Sequence, residues 1–352
     1  MAVSAFSAIL HSCKQFRIIR RMKILEQASE ASSVNTGSKT PPSLWGYKAL
    51  LLIATAVWGL GTVVIKSTVD EIPASWIVGI RFAVAGILLG LVALPRIKGT
   101  LADKEHWLAG SVLGVFVYLS YETNSTGLAF TTASNSAFLT TLYVVIVPFL
   151  GWVFTKKPPT KYNVTAALVC IAGVGCIAYA GSSGFSLNFG DIITLLSTVF
   201  LSFHILFTAK FAPGKNMIML TVVQFLIAGT LGLITGAFTE PFPPIESVSV
   251  SAWMSLVYLA VFASCIALLL QNLAVARVPA AQASLFLSFE SVFGVLFSVM
   301  LLGEVLTPSL LIGFALIFAS LVISEYLPLR AARTEDKTDP EPELDTESAP
   351  LR

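Results

Sequence analysis

Apolar residues run along this chain in long uninterrupted blocks, with polar residues gathered between them. Ten such blocks lie near residues 46–65, 74–94, 107–128, 133–154, 161–181, 190–210, 217–238, 252–275, 280–302 and 308–328. Each holds about 20 residues, enough for a helix to cross a bilayer. None alternates apolar and polar positions over its length, as the strands of a membrane barrel would. The pattern predicts an all-α polytopic membrane protein of ten transmembrane helices.

Composition sharpens this reading. Of 352 residues, 55% are hydrophobic and 12% charged. The charges gather at the ends: residues 1–48 hold 9 and residues 330–352 hold 11 of the 42. A soluble fold needs polar outer faces, which the middle of this chain does not supply. Residues 1–45 read as a basic, flexible tail. Lys14, Arg17, Arg20, Arg21 and Lys23 precede the first acid, Glu26, a composition shared by organellar transit peptides and basic cytoplasmic tails. A start at Met22 is a further reading of the same stretch. Residues 329–352 read as an acidic disordered tail, with seven acids and three prolines in 334–350.

Lys and Arg in the connections set the orientation. Connections after even-numbered spans carry Arg96, Lys98, Lys104, Lys156, Lys157, Lys161, Lys210, Lys215 and Arg277, whereas those after odd-numbered spans carry only Lys66. Both termini are therefore expected in the cytoplasm, with the protein in the plasma (inner) membrane. The net charge of +2 leaves no footprint for nucleic acid. The four cysteines, Cys13, Cys170, Cys176 and Cys265, form no CxxC and pair with no spaced histidines, so no metal site is expected.

A shift of 147 residues lays the second half of the chain on the first. Ser136-Ala-Phe-Leu-Thr-Thr falls on Ala283-Ser-Leu-Phe-Leu-Ser, Thr160 on Thr307, and Asn124 on Gln271. Five crossings per unit force the second copy to enter from the opposite face, giving two inverted repeats over 46–181 and 190–328. Carriers built this way hold their ligand near mid-membrane between the halves.

Specific residues strengthen the expectation. Trp58-Gly59, Arg81-Phe82, the run Tyr121–Thr140, Ser288-Phe-Glu-Ser-Val-Phe-Gly and Leu301-Leu-Gly-Glu-Val-Leu-Thr307 together resemble the drug/metabolite transporter superfamily, and within it transporters with two EamA repeats. The resemblance implies small-molecule transport through a central cavity between two five-helix halves. It fixes no substrate. One departure is Lys156-Lys157-Pro158-Pro159, where the repeat commonly has a Gly-Glu turn.

Ionisable groups inside a membrane are costly and mark function or pairing. Arg81 and Glu122 both lie roughly 10 Å inside the outer boundary at a helical rise of about 1.5 Å per residue. An Arg81–Glu122 ion pair, structural or gating, is expected. Glu290 sits near the midplane of the ninth span with no cation at matching depth in the sequence, which suits a proton-coupling group or a neutral acid bonded to a carbonyl. His204 reads as packed and satisfied. Tyr118, Tyr121, Glu122 and Ser125 share one face of the third span. With Trp58, Asn124, Asn135, Tyr143, Gln271, Asn272 and Glu290, that face supplies the candidate substrate cavity. Pro148 is placed to kink the fourth span. Gly86/Gly90, Gly110/Gly114 and Gly232/Gly236 read as helix-packing pairs.

The sequence contains no nucleotide-binding or hydrolytic motif, so no enzymatic activity and no cofactor is expected. The leading function is a secondary carrier that exports a small metabolite by alternating access, with proton coupling as an option. A sugar-phosphate or nucleotide-sugar exchanger of the same superfamily is one alternative, and a non-transporting sensor or assembly protein the other. The expected partners are a small-molecule substrate and the lipid bilayer, with a homodimer left open.

Overall fold

The structure is a computed structural model that describes residues 44–156, 158–179, 187–275, 278 and 286–336, apart from a few side chains among them. The basic tail before residue 44, the acidic tail after residue 336, Lys157, Arg277 and the Ala283 end of the repeat motif fall outside the described residues.

Among the described residues the chain forms ten helices and no strand, as an all-α polytopic membrane protein requires. They are α1 (Leu44–Thr68), α2 (Ala74–Ile97), α3 (Lys104–Phe130), α4 in two pieces (Ala133–Thr140 and Tyr143–Thr155), α5 (Lys161–Tyr179), α6 (Phe189–Phe211) and α7 (Met217–Thr239). The last three are less regular or longer. In α8, a π-helical stretch Tyr258–Ile266 separates Val250–Val257 from Ala267–Val275; α9 (Phe289–Phe297) ends in a π turn, Ser298–Leu302; α10 runs Pro308–Asp336. The described α10 thus runs through Pro328 to Asp336, past residue 329 where the tail was expected to start.

Local signals start the helices where expected. Asp103 accepts from the Glu105 amide at 2.9 Å to cap α3. Asn188 and Asp191 form a capping box on α6, and Asn216 accepts from Ile218 and Met219 at the start of α7. The duplication reappears in detail. Thr160 Oγ1 accepts from the Asn163 amide at 3.3 Å, and 147 residues later Thr307 Oγ1 accepts from the Leu310 amide at 3.3 Å. The helices before these caps end alike, Lys156 at φ 60° and Gly303 at φ 67°.

Left-handed backbone suits glycine and strains a residue with a Cβ by about 1–2 kcal/mol. The first repeat therefore carries a cost that the second avoids. Lys156→Gly is expected to stabilise the protein by about 0.5–1 kcal/mol, after allowance for the greater unfolded freedom of glycine. Thermal unfolding in detergent checks this; a lower midpoint would show that the Lys156 side chain earns its strain by other contacts.

Lipid gives little hydrophobic drive between helices, so close approach of small residues has to hold them. A Cβ on Gly79 of α2 would stand 2.6 Å from the Leu233 amide nitrogen of α7, and one on Gly232 would stand 2.6 Å from the Gly79 nitrogen. Gly110 and Gly114 of α3 approach Val223, Gln224 and Ile227 of α7 in the same way. Gly173 of α5 meets Gly313 of α10. The core at the α2–α7 seam is Val78, Phe82, Ala85, Val223, Phe225 and Ala228. Large apolar side chains such as Leu91, Val92, Leu168, Phe238 and Met300 are left outward, where a bilayer would cover them. The break in α4 falls at Thr141–Leu142, N-terminal to Pro148, and is bridged by tightened bonds such as Thr141 N–H to Phe138 and Val144 N–H to Thr141.

Candidate functional site

The deep charges converge on the π-helical stretch of α8. Arg81 is 3% exposed and donates through Nε to Ser264 Oγ at 2.8 Å. Its guanidinium lies 4.8 Å from the Tyr121 ring centre and 5.0 Å from that of Phe82, cation–π contacts with two rings that themselves meet edge to face at 4.9 Å. Glu290, in the first turn of α9, and Tyr258, on α8, lie within electrostatic range of Arg81. Arg81 and Tyr121 belong to the first repeat, and Tyr258, Ser264 and Glu290 to the second.

The scaffold around this cluster is bonded across the repeats. Trp58 Nε1 of α1 donates to the Ala263 carbonyl at 2.7 Å, and the Tyr258 hydroxyl donates to the Val57 carbonyl at 2.8 Å. Ser264 donates to Leu259, five residues back, at 2.9 Å. That interval matches π winding, which occurs mostly as short stretches at functional places. Beside Glu290 the chains touch closely: a Cβ on Gly59 would stand 2.9 Å from the Glu290 carbonyl and 2.7 Å from the Gly294 nitrogen. Packing against α1 therefore fixes where the first turn of α9 holds its carboxylate.

Two expectations about charge change. Arg81 does not pair with Glu122: among the described residues the ion pairs are His106–Asp103 and Lys215–Glu105. Glu122 instead accepts from the Ser75 hydroxyl, and its other oxygen is buried without a hydrogen-bond partner. Equal depth leaves the direction around each helix free. Tyr121 faces Arg81, and its neighbour Glu122 points about 100° further round the helix. Glu290 is likewise not remote from a cation, because Arg81 lies within electrostatic range of it.

The other candidates disperse. The Tyr118 hydroxyl lies 2.6 Å from Thr235 Oγ1. Asn124 donates to Ser136 and Thr140 on α4 at 3.2 and 3.1 Å. Asn135 is 8% exposed and donates to Asp191, which also accepts from Thr131. The Asn124 and Asn135 bonds tie α3, α4 and α6 together. Tyr143 opens the second piece of α4 and Gln271 lies on the last piece of α8, both partly buried; the Asn272 side chain is outside the described residues. His204 Nε2 sits 3.1 Å from Gln224 Oε1, a bonded histidine as expected.

Sequence reading missed Tyr258 and Ser264. They are six residues apart, which an α-helix with 3.6 residues per turn puts on different faces. No helical periodicity of the sequence therefore pairs them. Among the described residues, no three His, Cys, Asp or Glu side chains gather as a metal site.

The comparisons with known proteins fit this architecture. The EamA-like transporter family matches twice, at residues 45–179 and 188–326. The chain belongs to the EamA-like transporter family. It is 30% identical over 287 residues to an uncharacterized transporter of Archaeoglobus fulgidus, covering 82% of this chain and 88% of that one. It is 26% identical to the uncharacterized transporter YvbV of Bacillus subtilis, covering 78% and 90%. A crystal structure of a protein matches with a TM-score of 0.59 at 18% identity, over 82% of this chain and 99% of that one, which speaks for the fold alone. This EamA-like protein is thus an integral, multi-pass membrane protein of a transporter family.

Proposed function

We propose that this EamA-like protein is a secondary carrier that exports a small metabolite by alternating access, with Arg81 and Glu290 as its binding and coupling centre. The observation that carries this reading is the 2.8 Å bond from Arg81 of one repeat to Ser264 of the other, with Tyr258 and Glu290 of that second repeat within electrostatic range. Charges inside a bilayer cost several kcal/mol unless paired or used. A pair drawn from both inverted repeats lies where rocking of one half against the other alters its surroundings. Substrate polar groups would exchange with the pair, and Trp58 and Tyr121 would wall its apolar part. A proton on Glu290 frees Arg81 to take another anionic group; loss of that proton returns Arg81 to the carboxylate. The carrier has no assigned catalytic step. Among the described residues Arg81 is the one arginine in mid-helix, which disfavours a phosphate-bearing substrate needing several cations.

Purified protein in proteoliposomes tests this directly. Metabolites that change in cells lacking the protein would be supplied inside the vesicles, and their efflux followed with and without a pH gradient. Efflux at the rate of empty vesicles for every such metabolite would sink the carrier reading in favour of a non-transporting role.

The nine-to-one bias of basic residues supports cytoplasmic termini. In a background without native cysteines, a cysteine at Gly99 is expected to resist an impermeant maleimide in intact cells, whereas one at Gly184 is expected to label. Labelling at Gly99 would reverse the orientation.

A further inference from the structure

The α3–α4 connection is gripped at both of its helix ends by charged side chains from elsewhere in the bundle. Lys66, in the last turn of α1, donates through Nζ to the Leu128 carbonyl near the end of α3, at 2.7 Å. Glu304, just beyond α9, accepts the Ala133 N–H at 2.8 Å and the Ser134 N–H at 3.2 Å at the start of α4. A helix leaves its last carbonyls and its first amides unpaired, the C-terminus partly negative and the N-terminus partly positive. Here the cation sits on the first kind of end and the carboxylate on the second. Gly303, at φ 67° after the π turn, turns the chain that presents Glu304.

Bonds elsewhere sort the helices into two bodies. In the first, α7 packs on α2 at Gly79 and Gly232 and on α3 at Gly110 and Gly114, and α6 packs on α3 at Gly127. The start of α4 joins this body through Asn124 of α3 and Asp191 of α6. In the second, α1 is bonded to α8 by Trp58 to the Ala263 carbonyl and Tyr258 to the Val57 carbonyl, and packs on α9 at Gly59. The Arg81 cluster lies between them, with Arg81 and Tyr121 on the first body and Tyr258, Ser264 and Glu290 on the second. Lys66 and Glu304 both reach from the second body to the first at one end of the bundle. Buried Val63, Leu128, Ala133 and Leu259 meet in one apolar cluster at that end.

We infer that Lys66 and Glu304 are latches that close the outer end of this carrier, and that opening the Arg81 cluster outward requires their release. The inference rests on the carrier reading and on the orientation given by the basic residues. Packing contacts between the bodies, such as Gly294 of α9 against Ala137 of α4, part without stranding a polar group. Parting the latches strands an ammonium, a carboxylate, a carbonyl and two amides until water reaches them. The opposite end is built differently. The 147-residue shift puts Pro213 at the place of Lys66 and Lys157 at the place of Glu304. Proline has no side-chain donor and lysine no acceptor, so neither can repeat its counterpart's bond. Two ties at that end, Asn216 to the Arg96 carbonyl and Lys215 to Glu105, run within the first body.

A cysteine at Ser291, in a background without native cysteines, reports the opening. Ser291 is fully buried and lies three residues before Gly294, on the face of α9 that meets α4. It is roughly 20 Å from Glu304 along the helix at about 1.5 Å per residue, so trimming Glu304 does not itself uncover it. An impermeant methanethiosulfonate is applied outside intact cells. The thiol is expected to resist it while both latches are intact, and to react faster with Lys66→Met or Glu304→Gln. With both substitutions the rise should be about tenfold or more, the scale of one net hydrogen bond. Glu304→Lys, which carries the first repeat's charge to the start of α4, should exceed Glu304→Gln. Glu246→Gln, at an exposed acid of the same end, should change nothing. Unchanged protection in the doubly substituted protein, or an equal rise in Glu246→Gln, would overturn the inference. Should the double variant fail to fold, unchanged protection in Glu304→Gln alone would do the same. Metabolite efflux from proteoliposomes keeps this inference apart from the carrier reading. Faster labelling without efflux from any variant would leave the closure standing and sink the carrier; efflux with unchanged labelling would sink the latches and leave the carrier.

Discussion

Glu290→Gln is expected to leave the protein folded while flux loses its dependence on an imposed pH gradient. The amide matches the carboxyl in size and hydrogen-bonding capacity, so the close contact of α9 with Gly59 of α1 is undisturbed. It can take neither a charge nor a transferable proton. Arg81 retains Ser264 and the faces of Tyr121 and Phe82, which limits the cost of losing its counter-charge. Arg81→Gln alone should be worse, because it leaves the buried Glu290 without a nearby cation and removes the Arg81 bond to Ser264. The double substitution removes both charges and should recover part of that stability. Flux in proteoliposomes and thermal unfolding in detergent measure the two effects. A wild type indifferent to the gradient would make the carrier a uniporter or exchanger. A Glu290→Gln variant that keeps its gradient dependence would move coupling to Glu122 or His204.

The contrast between Arg81 and Glu122 shows which part of the architecture sequence can carry. Span positions follow from block length alone, because a bilayer demands about 20 apolar residues whatever their order. The inverted pair of repeats follows from the 147-residue register, which the Thr160 and Thr307 caps and the Lys156 and Gly303 turns reproduce in three dimensions. Depth along a helix is equally legible, and it brought Arg81 and Glu122 to one level. Which faces meet is a different kind of information. It depends on helix rotation, set here by Gly79 against Gly232 and Gly110 against Val223. That rotation turns Arg81 toward α8 and leaves Glu122 to Ser75. Ser264 joins the cluster through π winding, a backbone choice that apolar sequence does not encode visibly. Asn135, a cavity candidate, is bonded inside the protein for a simpler reason. A polar residue one turn into a helix serves a nearby cap as readily as a ligand, and Asp191 was available.

Gly232→Val is expected to be the most damaging single change outside the charged cluster. A Cβ there would lie 2.6 Å from the Gly79 nitrogen and 2.7 Å from its Cα, and these are backbone atoms that no rotamer change can move. The helices have to separate. Overpacking in a filled interior costs about 1–3 kcal/mol and sometimes more. Here the separation also strips contacts along the α2–α7 seam, from Val78 and Phe82 to Phe225 and Ala228. The damage extends to the site, because Arg81 lies two residues from Gly79 on the displaced helix. Its 2.8 Å bond to Ser264 leaves little slack. Flux should therefore fall by more than the folded fraction does. Gly99→Val is the control, since a Cβ at Gly99 meets nothing within 4 Å. Unfolding midpoints in detergent, with flux normalised to folded protein, separate the two losses. Wild-type stability in Gly232→Val would mean that α2 and α7 do not pack backbone to backbone, and the placement of Arg81 against Ser264 would fall with that contact.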